Sequence, residues 1–327
     1  MSNDQEKVLI TGGNGNLGRL VANQLLASGR HVITFDATAT EPASAYANET
    51  VISGDIRDTG ALQTILTEHR PKTIYHLASL LSGSSEANLT TAWEVNATAS
   101  FHLLRLANEH KIPQFFFAST VGTYGLVDTT SMPEDYPQWP ENFYGVTKVA
   151  VERLGVYFKI KHGLDFRCLR FPLVVSPFAP QGALSAYPSH AFKAAFNHES
   201  FCFPVAAEVG ISTLFLEDAV DSIVQFTNAQ ANKLTRHVYN LHGYFLSAGE
   251  VAEAAAQRFP GFDYSFESID AIEQLIAGGP DIIDDSAARR DWSWQPQFDF
   301  AKSADRICEL LRAGACVNVN DDVSNNG

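Results

Sequence analysis

Two tyrosines stand four residues ahead of a lysine: Tyr144 with Lys148 in Y-G-V-T-K, and Tyr157 with Lys161. Four residues is about one helical turn, so each pair shares a helix face. A phenol beside an ammonium can move a proton if a substrate hydroxyl and a hydride acceptor lie within reach. Both pairs fall on one predicted helix, 142–162, about 20 Å apart. Only one of them can therefore serve a given site.

A hydride acceptor has its own signature upstream. A strand at 7–11 runs into T-G-G-N-G-N-L-G at 11–18, and a helix follows over 16–28. Gly12, Gly15 and Gly18 form G-x-x-G-x-x-G. In this context Gly12 permits the sharp turn, Gly15 lets the backbone approach a pyrophosphate, and Gly18 lets helix and strand pack closely. The first N–H groups of the helix then bind the diphosphate. Asp36 ends the second strand, 31–36, where a carboxylate can accept both ribose hydroxyls of an adenosine. The following A-T-A-T has no Arg or Lys for a 2′-phosphate, which favours NAD over NADP. Gly54, Asp55 and Ile56 follow a third strand, 50–53, where the adenine would lie.

The positioning elements continue in the same rhythm. Strands are expected at 73–77, 114–119, 167–175 and 237–241. Helices are expected at 57–68, 87–110, 142–162 and 214–227. Strands alternating with helices indicate an α/β fold with a doubly wound parallel sheet of Rossmann type. The continuous apolar strands are expected to be buried on both faces. Ligands of such sheets sit at the carboxyl ends of the strands. The helix 142–162 starts at that end, so Tyr144 and Lys148 are near the site and Tyr157 and Lys161 are far from it. Ser119 and Thr120 close the strand 114–119 at the same edge and offer a hydroxyl to a substrate oxygen. In this scheme Lys148 and a positive nicotinamide ring lower the tyrosine pKa. Tyr144 then removes a substrate O–H proton while hydride leaves carbon. Lys148 also holds the nicotinamide ribose.

The totals exclude other classes. Formal net charge is −14, which argues against a nucleic-acid groove or an anionic membrane surface. No apolar run approaches the roughly 18 residues of a membrane span, and the acidic N-terminus does not read as a signal peptide. The four cysteines are far apart, which fits a reduced, cytoplasmic protein. His237 and His242 are five apart on a strand pattern and face opposite ways, so no metal site is expected.

The combination of 11–18, Asp36, H-L-A at 76–78, Thr120 and Tyr144–Lys148 resembles the extended short-chain dehydrogenase/reductases, over nearly the whole chain. The resemblance places the catalytic hydroxyl at Thr120, in A-S-T-V-G-T-Y-G, with Ser119 as its neighbour. Three further stretches narrow it: 77–86 with W-E-V-N at 93–96, the run after Y-G-V-T-K, and D-D-S-A-A-R-R-D-W-S-W at 284–294. They resemble the NAD-dependent L-threonine 3-dehydrogenases of short-chain type. The resemblance implies cofactor contacts from Asn16, Leu17, Leu77, Ala78, Leu80, Asn96 and Phe171, beside those already named. It implies substrate contacts from Ser82, Thr120, Val121, Tyr144, Ser185 and Tyr187. One segment departs. In Q-G-A-L-S-A-Y at 181–187, Gly182, Ser185 and Tyr187 match. Leu184 stands where the family has a hydroxyl and Ala186 where it has Asp. In I-S-T-L-F-L-E-D at 211–218, Ser212 replaces a Pro.

The expected organisation is an NAD-binding lobe, 1–175 and 214–243, with a smaller C-terminal substrate lobe, 176–213 and 244–315. A disordered tail is expected at 316–327. The helices 87–110 and 142–162 are apolar on more than one face and could pair with the same helices of a second chain, a homodimer. The expected reaction is oxidation of a secondary alcohol, such as the C3 hydroxyl of threonine. The rivals are a nucleotide-sugar epimerase or dehydratase, which re-reduces its own substrate, and a dinucleotide-binding sensor without catalysis.

Overall fold

The computed structural model describes residues 6–38, 46–179 and 185–314. Strand and helix alternate through β1 (Lys7–Thr11), α1 (Asn16–Ala27), β2 (His31–Asp36), β3 (Glu49–Ser53), α2 (Thr59–His69) and β4 (Thr73–His76). Next come α3 (Ser82–Ala87), α4 (Leu89–Ala92), a π-helical turn (Trp93–Thr98), α5 (Ala99–Glu109), β5 (Gln114–Thr120), β6 (Ser131–Met132), α6 (Phe143–His162) and β7 (Asp165–Phe171). The second half is more mixed: β8 (Leu173–Val175), α7 (Tyr187–Phe196), β9 (Phe201–Phe203), β10 (Gly210–Phe215), α8 (Leu216–Asn228) and β11 (Val238–Asn240). It ends with β12 (Tyr244–Ser247), α9 (Ala248–Arg258), β13 (Tyr264–Phe266), α10 (Asp270–Ala277), β14 (Ile282–Ile283), α11 (Ser286–Trp292) and α12 (Phe300–Arg312).

Seven strands form one parallel sheet in the order β11-β7-β5-β4-β1-β2-β3. Successive side chains of a strand face opposite ways, and the sheet uses both faces. Val8, Ile10 and Phe116 join one buried cluster with α1, α8 and α11, through Leu25, Ile223 and Trp292. Leu9, Phe115 and Phe117 join another with α2, α5 and α6, through Leu62, Leu104 and Phe158. A doubly wound α/β sheet is the result, as the strand rhythm predicts. Chain order reverses between β1 and β4, which places the ligand crevice at the carboxyl ends of those strands. A third buried cluster gathers Tyr187, Phe192, Phe203, Phe215, Val251 and Ile307. Trp292 and Trp294, by contrast, pack into the first cluster.

The structure corrects several expected elements. The single strand expected at 167–175 is two. Pro172 has no N–H to give a ladder, and the chain leaves the central sheet there: β8 pairs with β10 in a separate three-stranded sheet with β12. The helix expected at 87–110 is interrupted. Asn88 is extended (φ −148°, ψ 90°) and its side chain accepts from Thr91 N, so it caps a new helix instead of continuing the old one. Beyond the expected elements, segment 176–213 holds α7, β9 and the start of β10, and the C-terminal part holds β12, β13 and β14. These are strands of two to six residues, too short to show a period. Gly182, Leu184 and the expected tail 316–327 lie outside the described residues.

Candidate active site

The glycine loop is built by close packing. Gly12 has φ +73°, a conformation that costs a side chain dearly. A Cβ there would lie 2.6 Å from Ala78 N, and one on Gly18 would lie 2.0 Å from Gly12 O. Gly15 differs: a Cβ there would meet only Gly12 O, at 3.4 Å. The protein itself does not fill that space. Among the described residues no side chain caps α1, and its first turn, N-L-G-R, holds no acidic residue. Asn16 Oδ1 is buried without a partner among the described residues, while its Nδ2 donates to Phe178 O. Free helix N–H groups, an open cradle at Gly15 and an orphaned polar atom fit a bound diphosphate. Leu17 packs at the edge of the first cluster.

Asp36 stands at the carboxyl end of β2. Its Oδ2 accepts from Asn14 N at 3.0 Å and its Oδ1 from Thr38 N at 2.9 Å. Asn14 Nδ2 donates to Thr38 O at 2.7 Å, so Asn14 locks the glycine loop to the Asp36 carboxylate and the residues after it. Sequence reasoning passed over Asn14, and over Gly13, where a Cβ would lie 2.7 Å from Thr34 Cβ. Both stand inside the quoted T-G-G-N-G-N-L-G run. Asp55 is gripped by Arg57, which also reaches Glu94 on the π-helical turn at 3.1 Å. Ile56 is buried in the second cluster.

The loop after β4 is held from two sides. Leu77 N donates to Thr11 O at 3.0 Å, and Ala78 lies over Gly12. Asn96, on the π-helical turn, accepts from Leu80 N at 2.8 Å and donates to Leu80 O at 3.0 Å. Its Nδ2 also reaches Thr147 Oγ1 on α6 at 3.3 Å. The carboxamide is thus committed to bracing the loop through Leu80. π-turns recur at functional sites for this kind of re-aiming. Behind the loop, His76 bridges Thr11 Oγ1 and Ser100 Oγ, both at 2.7 Å. Burial pulls its pKa down to about 3, so the ring is neutral.

Asn142 starts α6 by accepting from Gly145 N at 2.7 Å, and Glu86 accepts from Phe143 N at 2.6 Å. Tyr144 and Lys148 follow in the first two turns. Lys148 Nζ donates to Ala118 O at 2.9 Å, lies 5.2 Å from the Tyr144 ring centre and is buried. Burial lowers the Lys148 pKa to about 8. It pushes Tyr144 above its ordinary value, whereas the expected lowering is one by Lys148 and a positive nicotinamide ring together. In the chain by itself, desolvation of the phenolate outweighs the ammonium. Thr120 closes β5 in register with Phe171 on β7, and its Oγ1 accepts from Gly122 N at 3.1 Å. Ser119 points elsewhere, donating to buried Glu152 at 2.6 Å. Tyr157, at the far end of α6, is 52% exposed and, among the aromatic rings of the described residues, touches Phe158 and His162.

The residues implied as substrate contacts are more scattered. Val121 is buried beside Thr120, and Ser82 opens α3. Ser185 lies in a turn before α7. Tyr187 sits in the third cluster edge-on to Phe203, its hydroxyl without a partner among the described residues. Ala186 is the buried N-cap residue of α7 and supplies no side-chain cap. Among the described residues no group of three or more His, Cys, Asp or Glu could hold a metal, and no helix is long and apolar enough to cross a membrane.

The parallel sheet with its switch point, the open glycine loop and Asp36 define a dinucleotide-dependent oxidoreductase. The chain belongs to the NAD dependent epimerase/dehydratase family of extended short-chain dehydrogenase/reductases, whose profile matches residues 8–241. It is 31% identical to the mitochondrial L-threonine 3-dehydrogenase of Sus scrofa over 300 residues, 90% of this chain and 80% of that one. An uncharacterized epimerase/dehydratase of Staphylococcus saprophyticus is 32% identical over 302 residues, 90% and 94% of the two chains. The holo form of a GalE-like L-threonine dehydrogenase from Cupriavidus necator superimposes with a TM-score of 0.86 at 29% identity, covering 93% of this chain and 99% of that one. The resemblance read from the motifs is borne out at the level of family, fold and cofactor class.

Proposed function

We propose that the protein oxidises the secondary hydroxyl of a β-hydroxy-α-amino acid, L-threonine first among them, with NAD as acceptor. The observation that supports this reading is that Lys148, 5.2 Å from the Tyr144 ring, bonds to Ala118 O near the carboxyl end of β5, the strand that Thr120 closes. The likeness to threonine dehydrogenases supports the substrate class. NAD, when bound, accepts the hydride from the substrate carbon and brings a positive ring to the site. Thr120 Oγ1 holds the substrate oxygen and Tyr144 takes its proton. Lys148 binds the nicotinamide ribose and favours the tyrosinate. Asp36 selects the unphosphorylated ribose, and Asn96 keeps the Leu80 loop closed over the cofactor. The division into an NAD-binding lobe, 1–175 with 214–243, and a substrate lobe, 176–213 with 244–315, is part of this reading. So is a homodimer through the π-helical turn, α5 and α6, whose Trp93, Phe101, Tyr157 and Ile160 are 43%, 38%, 52% and 63% exposed.

A nucleotide-sugar epimerase or dehydratase is the second reading, favoured by the departures at Leu184 and Ala186. One experiment separates them. The protein is incubated with NAD and a panel of β-hydroxy-α-amino acids and nucleotide sugars, and absorbance of NADH is followed. Release of NADH with threonine or a relative supports the dehydrogenase. Conversion of a nucleotide sugar without NADH release replaces it.

A further inference from the structure

One helical turn beyond Lys148 is a group that the proton-transfer scheme does not use. Glu152 is fully buried. Its Oε1 accepts from Ser119 Oγ at 2.6 Å and Arg170 Nε at 2.9 Å. Its Oε2 accepts from Arg170 Nη2 at 2.6 Å and Gln138 Nε2 at 3.0 Å. Arg170 Nη1 donates to Tyr124 OH at 2.6 Å, and Tyr124 OH donates to Asn240 Oδ1 at 2.7 Å. Ser119, Arg170 and Asn240 stand in register on the neighbouring strands β5, β7 and β11. The carboxylate therefore ties α6 to the ends of three strands at once. A buried ion pair is a weak source of stability, since an apolar pair of similar volume often serves as well. Its place beside the candidate site calls for another account.

We propose that Glu152 is a positioning residue for this site: it fixes α6 against the ends of β5 and β7, and sets its carboxylate one turn behind the Lys148 ammonium. The proposal rests on reading Lys148 as the cation that holds the cofactor ribose.

The groups around Lys148 support the assignment. On α6 they are Tyr144 and Glu152, on β4 His76, on β7 Cys168 and Arg170, and on β5 the Ala118 carbonyl and the Phe117 face. Burial keeps His76 neutral and holds the Tyr144 phenol and the Cys168 thiol protonated well beyond their ordinary ranges. Arg170 is engaged by Glu152 itself. Against burial, Cys168 first and Glu152 after it favour the charged form of Lys148; with the Cys168 thiol held protonated, the carboxylate paired with Arg170 is the group left to oppose the pull of burial.

The test uses NAD binding without substrate, by calorimetry from about pH 6 to about pH 10. Wild-type affinity should fall as pH rises through a midpoint of about 8, and Lys148→Met should remove that dependence. In Glu152→Gln the midpoint should drop by about one pH unit or more. Because that variant strands a buried Arg170 and can unfold, Glu152→Gln/Arg170→Met is measured beside it, with thermal melting of each. A paired variant that melts near the wild type yet keeps the lowered midpoint supports the proposal. A paired variant with the wild-type midpoint reduces Glu152 to a structural ion pair and overturns it, as does a folded Glu152→Gln with no shift. A wild type that binds no NAD at any pH overturns the reading of the site, and the proposal with it. Failure to find a substrate does neither, since none is used.

Discussion

Asn96 holds Leu80 by both main-chain polar groups, accepting from its N–H at 2.8 Å and donating to its carbonyl at 3.0 Å. No other side chain among the described residues is seen to do so. Asn96→Ala leaves the Leu80 N–H of a half-buried loop unpaired, while the carbonyl keeps Ser79 Oγ at 3.2 Å and Ser85 Oγ at 3.3 Å, a loss of about 1–3 kcal/mol. NAD affinity should weaken about 5- to 150-fold by calorimetry. Unchanged affinity would separate the loop from the cofactor site.

NADP should bind more weakly than NAD by at least about 2 kcal/mol, the order of bringing like charges together. Asp36 would face the 2′-phosphate, and Arg19, the guanidinium of the first turn of α1, is tied to buried Glu49. Asp36→Asn should narrow the gap. Equal affinities of the wild type for the two cofactors count against the assignment of Asp36.

Tyr144→Phe should lower kcat about 100-fold or more while NAD binding survives. Tyr157→Phe removes an exposed hydroxyl at the other end of α6 and should leave kcat nearly unchanged. Equal losses in steady-state assays would mean that the proton acceptor sits elsewhere.

His76 makes stability depend on pH. Its folded pKa, about 3, is below the unfolded value of 6.5. Between those values the unfolded chain binds a proton that the folded chain refuses. The contribution is fully present above about pH 6.5 and is lost as pH falls toward 3, by roughly 1 kcal/mol per pH unit. Denaturant midpoints for the wild type should therefore fall more steeply over this acid range than those of His76→Gln. Parallel slopes would assign the acid sensitivity to other groups.

Reverting Leu184→Thr together with Ala186→Asp should raise kcat/KM for threonine at least about 5- to 150-fold, the range for one restored polar contact. Ala186 is the uncapped start of α7, so Asp there should also stabilise the helix, by about 1 kcal/mol. A rise in melting temperature without a rise in turnover would make position 186 a cap and not a substrate determinant.

Much of this site could be read from residue order. Gly12, Asp36, Thr120, Tyr144 and Lys148 lie within continuous local patterns, and each stands at the carboxyl edge because strand–helix alternation puts it there. Asn14 and Glu152 were missed for different reasons. Asn14 acts through its backbone N–H, which sequence does not single out. Glu152 follows Lys148 at the same four-residue spacing that links Lys148 to Tyr144, but its partners Arg170 and Asn240 come from distant strands. The break at Pro172 is a known signal, yet the apolar run on both sides of it reads as one strand. The short strands β9, β10 and β12 exist through tertiary pairing and carry no period of their own.

The bare start of α1 makes the cofactor part of the architecture. A helix whose first N–H groups lack a cap among the described residues is finished by whatever anion settles there. With the proposed cofactor in that place, folding and ligand supply become one equilibrium. At a hundredfold excess of NAD over its dissociation constant, the folded state gains about 2.7 kcal/mol. A chain made faster than the nucleotide pool can fill it would then be the first to be cleared, so that the amount of working protein follows the amount of NAD.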